Sequence, residues 1–428
     1  MSEKKPRELF KERNQRVADA IALKEPDRVP ITPMWHFYPT EIKGISKKEA
    51  MYEREKYGQA SIDLITEHKW DQASPLMNVW SGEIFDSYGA KFMKWPGAAD
   101  INQRLEDHEP FQYVEAEYMK ENEYEEFFYD PTGFLLRKVI PRSLPELIAL
   151  EEFPNIVALG YNMMTVVGIS QFFGLPAGKK FLAAVQNGVE STFKFLGSLQ
   201  SYEKSLKKLG YPIQFSTMAI APFDVVGDSM RGMRGSMIDM YRRPEELKKM
   251  IEMFIKPCIQ MSTGLNKLFP HLKVVFIPLH RGADGFMSNK QFESFYWPSL
   301  TKLMDGLINK GLIPMPFFEG GYNERLEYLA EYAKKNKGKL IYWFDRTDII
   351  EAKKIVGDYA CMRGNIPPSL LSMGTPKQIE DHVKELIEGC AEGGGYILDG
   401  GLGLPDEAKP ENVKAMTDAV FKYGVYRK

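Results

Sequence analysis

Three short apolar runs in the last third of this chain each stop at a carboxylate followed by glycine or arginine. Leu312 to Phe318 ends at Glu319-Gly320-Gly321, Leu340 to Phe344 at Asp345-Arg346, and Tyr396 to Leu398 at Asp399-Gly400-Gly401. A fourth run, Val274 to Leu279, stops at His280-Arg281. Continuous apolar runs mark parallel strands covered on both faces, and a polar residue at the carboxyl end of such a strand turns into the loop face where α/β enzymes hold their chemistry. Glu319, Asp345, Asp399 and His280 gathered at one mouth would form a set of proton donors and acceptors, and they are the candidate catalytic residues.

Each has a plainer reading beside the chemical one. His280 can be an acid, a base or a metal ligand because imidazole titrates near neutrality, or it can simply bond a neighbouring loop. Glu319 sits between two phenylalanines and two glycines. Partial desolvation there would raise its pKa towards that of a working acid, whereas an ion pair with Arg346 or Arg363 would make it structural. Asp345 adjoins Arg346, so the same pairing competes for it. Glu319 and His280 are also the two candidates for a metal site. Tyr322, Asn323, Arg363 and Asn365 add hydrogen-bonding groups near the same mouth, and Arg281 could clamp an anion. His36, within Trp35-His36-Phe37-Tyr38, could line an aromatic pocket. The loop Arg231-Gly232-Met233-Arg234-Gly235 could hold an anionic group or be a solvated turn.

Positioning these residues requires alternating strands and helices. Strands are expected at Val29 to Trp35, Thr165 to Gly168, Ile213 to Ala221, Val274 to Leu279, Leu312 to Phe318, Lys339 to Phe344, Tyr359 to Met362 and Gly395 to Leu398. Amphipathic stretches such as Arg243 to Leu268, Asn289 to Lys310 and Thr375 to Ala391 lie between them. Pro244 and Pro376 stand at helix starts, with Thr375 as an N-cap. About eight such units favour a (β/α)8 barrel of the TIM type over an open sheet. Residues 1–155 are expected to hold N-terminal helices, the first barrel strand and an inserted cap of short antiparallel strands, with Asp130-Pro131-Thr132-Gly133 as a turn between two of them. Residues 156–428 are expected to form the main part of the barrel. The region around 40–155 could cap the mouth or mediate a homodimer.

Composition narrows the function classes. The formal net charge of −2 over 428 residues offers no long-range field for nucleic acid or an anionic membrane. The three cysteines, Cys258, Cys361 and Cys390, are few, odd in number and far apart, unlike a disulfide-stapled secreted domain. Without a signal-peptide pattern near the start or a long apolar span, a cytoplasmic protein is expected. No glycine fingerprint for a dinucleotide or a P-loop follows a strand: Gly393-Gly394-Gly395 precedes one.

Several segments resemble the uroporphyrinogen decarboxylase superfamily, which includes corrinoid-dependent methyltransferases. They are Ala221-Pro222-Phe223 with Met237 to Pro244, Asp284 to Ser288 with Trp297-Pro298, Ile355 to Asp358 with Arg363 to Pro368 and Gly374-Thr375-Pro376, and Gly394 to Gly401 with Leu404-Pro405. The likeness covers roughly residues 200–425 and, more weakly, Lys24 to Pro30. It implies a TIM-type barrel. The arginine-rich strand end with which the porphyrinogen decarboxylases grip substrate carboxylates reads Pro33-Met34-Trp35-His36-Phe37-Tyr38 here. Their catalytic aspartate falls near Asn78, counted here as a substrate-binding candidate, and their late histidine falls at Leu402. Unpaired acidic side arms would be costly to desolvate in such a pocket, so porphyrinogen decarboxylation is not expected. The zinc triad of the thiol-directed methyltransferases falls at Phe317, Glu319 and Leu402, which leaves a possible zinc site only with other ligands.

The resemblance implies a corrinoid-dependent methyltransferase that moves a methyl group from a small methoxylated or methylated compound to cob(I)alamin. No cobalamin motif of the Asp-x-His-x-x-Gly type occurs in the chain, so cobalamin is expected on a partner corrinoid protein. The alternatives are a decarboxylase or lyase of a small carboxylic acid, with Arg231, Arg281 or Arg363 as the clamp, and a non-catalytic binding protein.

Overall fold

The computed structural model describes residues 4–156, 160, 162–215 and 217–426. Six parallel strands follow one another around the sheet in chain order. We number the barrel strands β1 to β8, these six being β3 (Thr217–Met218), β4 (Val274–Leu279), β5 (Ile313–Phe318), β6 (Ile341–Phe344), β7 (Cys361–Arg363) and β8 (Tyr396–Ile397). Two single-bridge strands close the ring. β1, residues 31–35, pairs in parallel through Ile31 with Leu398 and through Trp35 with Leu404, and β2, residues 71–74, pairs through Ala73 with Ile213. The peptide N–H of Asp71 donates to the Ile31 carbonyl at 3.0 Å, joining β1 to β2. The fold is therefore the (β/α)8 barrel.

Two strand expectations are corrected. Residues 165–168 lie inside the helix Asn162–Gly174; Thr165, Val166 and Val167 favour a strand locally, but the place beside β3 is already taken by β2 and propensity yields to pairing. The true second strand, Asp71-Gln72-Ala73-Ser74, carries no apolar run for periodicity to detect. In the cap, short strands do occur: Met93–Pro96 pairs with Arg104–Leu105 in parallel and with Gln112–Tyr113 antiparallel. Asp130 to Gly133 is no hairpin turn: Asp130 accepts from the Gly133 N–H and caps the helix Pro131–Phe134, which follows the helix Tyr124–Tyr129.

The barrel interior is packed. Met34, Phe215, Phe276, Met315, Phe317, Ile341, Trp343, Cys361 and Ile397 form one buried cluster, joined by Val17, Ala20 and Ile21 of the first helix, Pro6–Ile21. Trp343 is fully buried, 4.7 Å from the Phe317 ring and 5.8 Å from that of Phe276. A fully buried side chain of this size contributes about 1.5–3 kcal/mol through the apolar area it removes from water, so the strand ends rest on a rigid floor. All three cysteines are free and buried. No described helix is long and apolar enough to cross a membrane.

Candidate active site

The carboxyl end of β4 carries a dense group of charges. The helix Pro222–Ser229 starts with proline at its first turn and places Asp224 and Asp228 one turn apart, so both carboxylates leave the same face. Asp228 Oδ2 lies 2.8 Å from His280 Nδ1, and its other oxygen accepts from Arg281 Nη1. Asp224, fully buried, accepts through Oδ2 from the peptide N–H of His280 at 3.0 Å and from the Tyr296 hydroxyl at 2.6 Å. Arg281 can lie across this helix because residue 227 is glycine: a Cβ there would come within 2.7 Å of the guanidinium.

These contacts set the charges. Burial alone would pull His280 down. The Asp228 hydrogen bond, with the charges of Asp224, Asp228 and Glu319, outweighs it and pushes the imidazole up to about 9. His280 is therefore a cation at neutral pH. Burial raises Asp224 to about 6, offset in part by His280 and the Tyr296 hydrogen bond. Asp228 is held below the usual carboxylate range, because His280 and Arg281 together exceed its burial penalty.

Glu319 follows β5 on a turn that needs glycine next: Gly320 has φ +83°, and its N–H donates to Asp345 Oδ2 at 2.9 Å. Enclosure by the surrounding loops raises the Glu319 carboxyl, His280 lowers it, and Asp345 and Asp228 raise it further. As a residue, Glu319 is exposed. Glu319, Asp345, Asn365 and Leu402 line one open cavity of about 780 Å³. Asp345 and the exposed Arg346 stand 3.8 Å apart, too loosely to make Arg346 the structural partner anticipated for it.

The structure divides the remaining candidates. Asp399 and Arg363 are buried, and their roles as catalyst and substrate ligand are corrected to that of a barrel clamp. Arg363 Nε and Nη2 donate to Asp399 Oδ2 at 2.9 and 2.8 Å, and Nη2 also reaches Thr32 O and Gln214 Oε1. The guanidinium stacks 4.2 Å over the Trp343 ring, and Asp399 also accepts from the Met34 and Gly400 N–H groups. Tyr322 is buried against Phe318 beneath Gly282, away from the rim. Asn323 accepts from the Asp348 N–H, and Asn365 donates to the carbonyls of Asp345 and Thr347; both hold loops in place. Asn78 is half-buried at the end of β2, bonded to Ser74 Oγ at 2.9 Å. His36 is half-buried at the end of β1, where burial lowers its pKa against the charge of Asp406. Arg231 is spent on Asp239.

Sequence reading missed Asp224, Asp228 and Tyr296. The available signal was the i, i+4 spacing of two carboxylates on the helix after β3. Of the two metal candidates, His280 has Nδ1 taken by Asp228 and keeps Nε2, and among the described residues no group of three His, Cys, Asp or Glu side chains is placed to hold a metal ion.

Comparison with known proteins agrees with this architecture. Residues 195–423 match the family described as Uroporphyrinogen decarboxylase (URO-D). The chain is 25% identical over 273 residues to the uroporphyrinogen decarboxylase of Actinobacillus pleuropneumoniae serotype 5b (strain L20), covering 60% of this chain and 75% of that protein. It is 32% identical over 142 residues to the enzyme of the same name from Pseudoalteromonas atlantica (strain T6c / ATCC BAA-1087), covering 32% of this chain and 39% of that one. In fold it is similar to a methyltransferase from Methanosarcina mazei, with a TM-score of 0.62 at 15% identity over 96% of this chain and 98% of that one.

Proposed function

The chain belongs to the uroporphyrinogen decarboxylase family, and on that premise we propose that it is a methyltransferase, taking a methyl group from a small methoxylated or methylated compound and delivering it to cob(I)alamin carried by a separate corrinoid protein. The observation that carries this reading is His280, held as a cation by Asp228 at the open end of the barrel. An ether oxygen leaves poorly unless a proton neutralises the charge it develops. In this reaction the oxygen–methyl bond breaks with its electron pair remaining on oxygen. The methyl carbon accepts an electron pair from cobalt(I), and the oxygen takes the proton from His280 Nε2. Asp228 binds Nδ1 and thereby leaves Nε2 as the donating atom. The side chain of His280 is 37% exposed, so solvent can return the proton. The charge of Glu319 adds to those of Asp224 and Asp228 in favouring the imidazolium.

The arginines count against decarboxylation of a small acid. Arg231, Arg281 and Arg363 are already paired with Asp239, Asp228 and Asp399, and none is free to clamp a substrate carboxylate. The test is product analysis by mass spectrometry after incubating the protein with a reduced corrinoid and a panel of methyl ethers, methylamines and short carboxylic acids. Demethylated product that forms only with corrinoid supports the reading; carbon dioxide released without corrinoid replaces it with a lyase.

A further inference from the structure

Asp228 also lines a second cavity, of about 500 Å³, walled by the cap and by β3. Its lining is largely aromatic and thioether: Trp80, Phe85, Phe92 and Met93 from the cap face Met218 and Met261 from the barrel and its helices. Three of its polar groups are already satisfied, while the buried Tyr118 hydroxyl has no hydrogen-bond partner. Asp228 is divided between His280 and Arg281, the Tyr113 hydroxyl donates to the Asp228 carbonyl, and the Ser143 hydroxyl donates to Val139. An ion placed there would lose its hydration and find no counter-charge, so the occupant must be neutral. The volume is that of a small-molecule pocket, and walls of this kind favour a flat π-system through edge-to-face and sulfur–ring contacts.

We infer that this cavity binds a neutral aromatic ring, the non-reacting body of the methyl donor, beside Asp228. The inference rests on the proposed methyl transfer for the role of the ring, but the binding itself stands apart from it. The cap residues named all precede residue 195, so they lie outside the segment that matches the family.

Calorimetric titration of the full chain with 4-methoxyphenol, its saturated analogue 4-methoxycyclohexanol and 4-methoxybenzoate tests this. The arene is expected to bind about tenfold more tightly than the saturated compound, because several ring contacts are lost together. The charged arene is expected to bind more weakly than the phenol. Met261 is 46% exposed at the cavity wall, so substitution there is compatible with folding. Met261→Trp should fill the space and weaken 4-methoxyphenol binding at least tenfold, while Met261→Ala should leave it within about threefold. Equal binding of arene and saturated analogue, tighter binding of the benzoate, no binding of either neutral compound, or arene binding indifferent to Met261→Trp would each overturn the inference. Arene binding that is blocked by Met261→Trp but never leads to demethylation would uphold the cavity and refute the methyl-transfer reading.

Discussion

Asp228 Oδ2 stands 2.8 Å from Nδ1 of His280, from a helix that follows β3 to an imidazole that ends β4. This contact joins two neighbouring strand ends and assigns the two ring nitrogens different tasks. Nδ1 is occupied, Nε2 is available, and the ring stays protonated through neutrality. With Arg281 on its other oxygen, Asp228 keeps its own charge and so sustains that of His280.

The first prediction concerns pH. With His280 raised to about 9, its acid form is present below that value and is lost as pH rises through it. The methyl-transfer rate should hold near neutrality and fall on the alkaline side. Asp228→Asn removes the anion that outweighs burial, so the alkaline limb should move to lower pH. Rate profiles of the two proteins check this, and an unmoved limb would show that Asp228 does not sustain the charge.

His280→Ala should lower the rate by about 10²–10⁴, the usual contribution of a positioned general acid, with little change in the folding midpoint because the side chain is partly exposed. Substrate binding should be largely retained. Single-turnover rates and a denaturation curve for the same preparation separate the two effects.

Arg363→Met should destabilise the barrel by about 3–5 kcal/mol, since it leaves Asp399 buried without its counter-charge. Urea denaturation measures this directly. A loss below about 1 kcal/mol would mean that water reaches Asp399 and that the clamp is not closed.

Asp224 offers a stability test with a defined sign. Burial raises its folded pKa from 3.8 to about 6, so the native state holds that proton more tightly than the unfolded chain does. This contribution to stability is lost as pH rises from about 4 to about 6. In Asp224→Asn the window disappears, and the advantage of the wild type over the variant should shrink across it in paired denaturation curves.

Much of the barrel was legible because β4, β5 and β6 are continuous apolar runs that end at polar residues, the pattern of strands buried on both faces. β2 was not, because Asp71 and Ser74 serve as hydrogen-bonding partners for β1 and the first helix, as where Asp71 accepts from Arg16, Arg28 and the Ile31 N–H. The exposed, charge-free helix Asn162–Gly174 misled in the opposite direction, since β-branched residues there have no sheet to join. At the site, strand-end logic located Glu319, His280 and Asp345. It could not separate Asp399, which has the same sequence context but faces inward to Arg363. Asp224 and Asp228 eluded it because a carboxylate on a short helix reads as solvated until the fold turns that helix against β4.

The most direct measurement of the central claim is the absorbance of free cob(I)alamin mixed anaerobically with the protein and, in turn, methyl ethers, methylamines and methyl thioethers at neutral pH. The account predicts bleaching of the cobalt(I) band with at least one donor, matched by an equivalent amount of demethylated product and largely abolished by His280→Ala. An unchanged band with every donor, or bleaching that His280→Ala leaves at the wild-type rate, would contradict it.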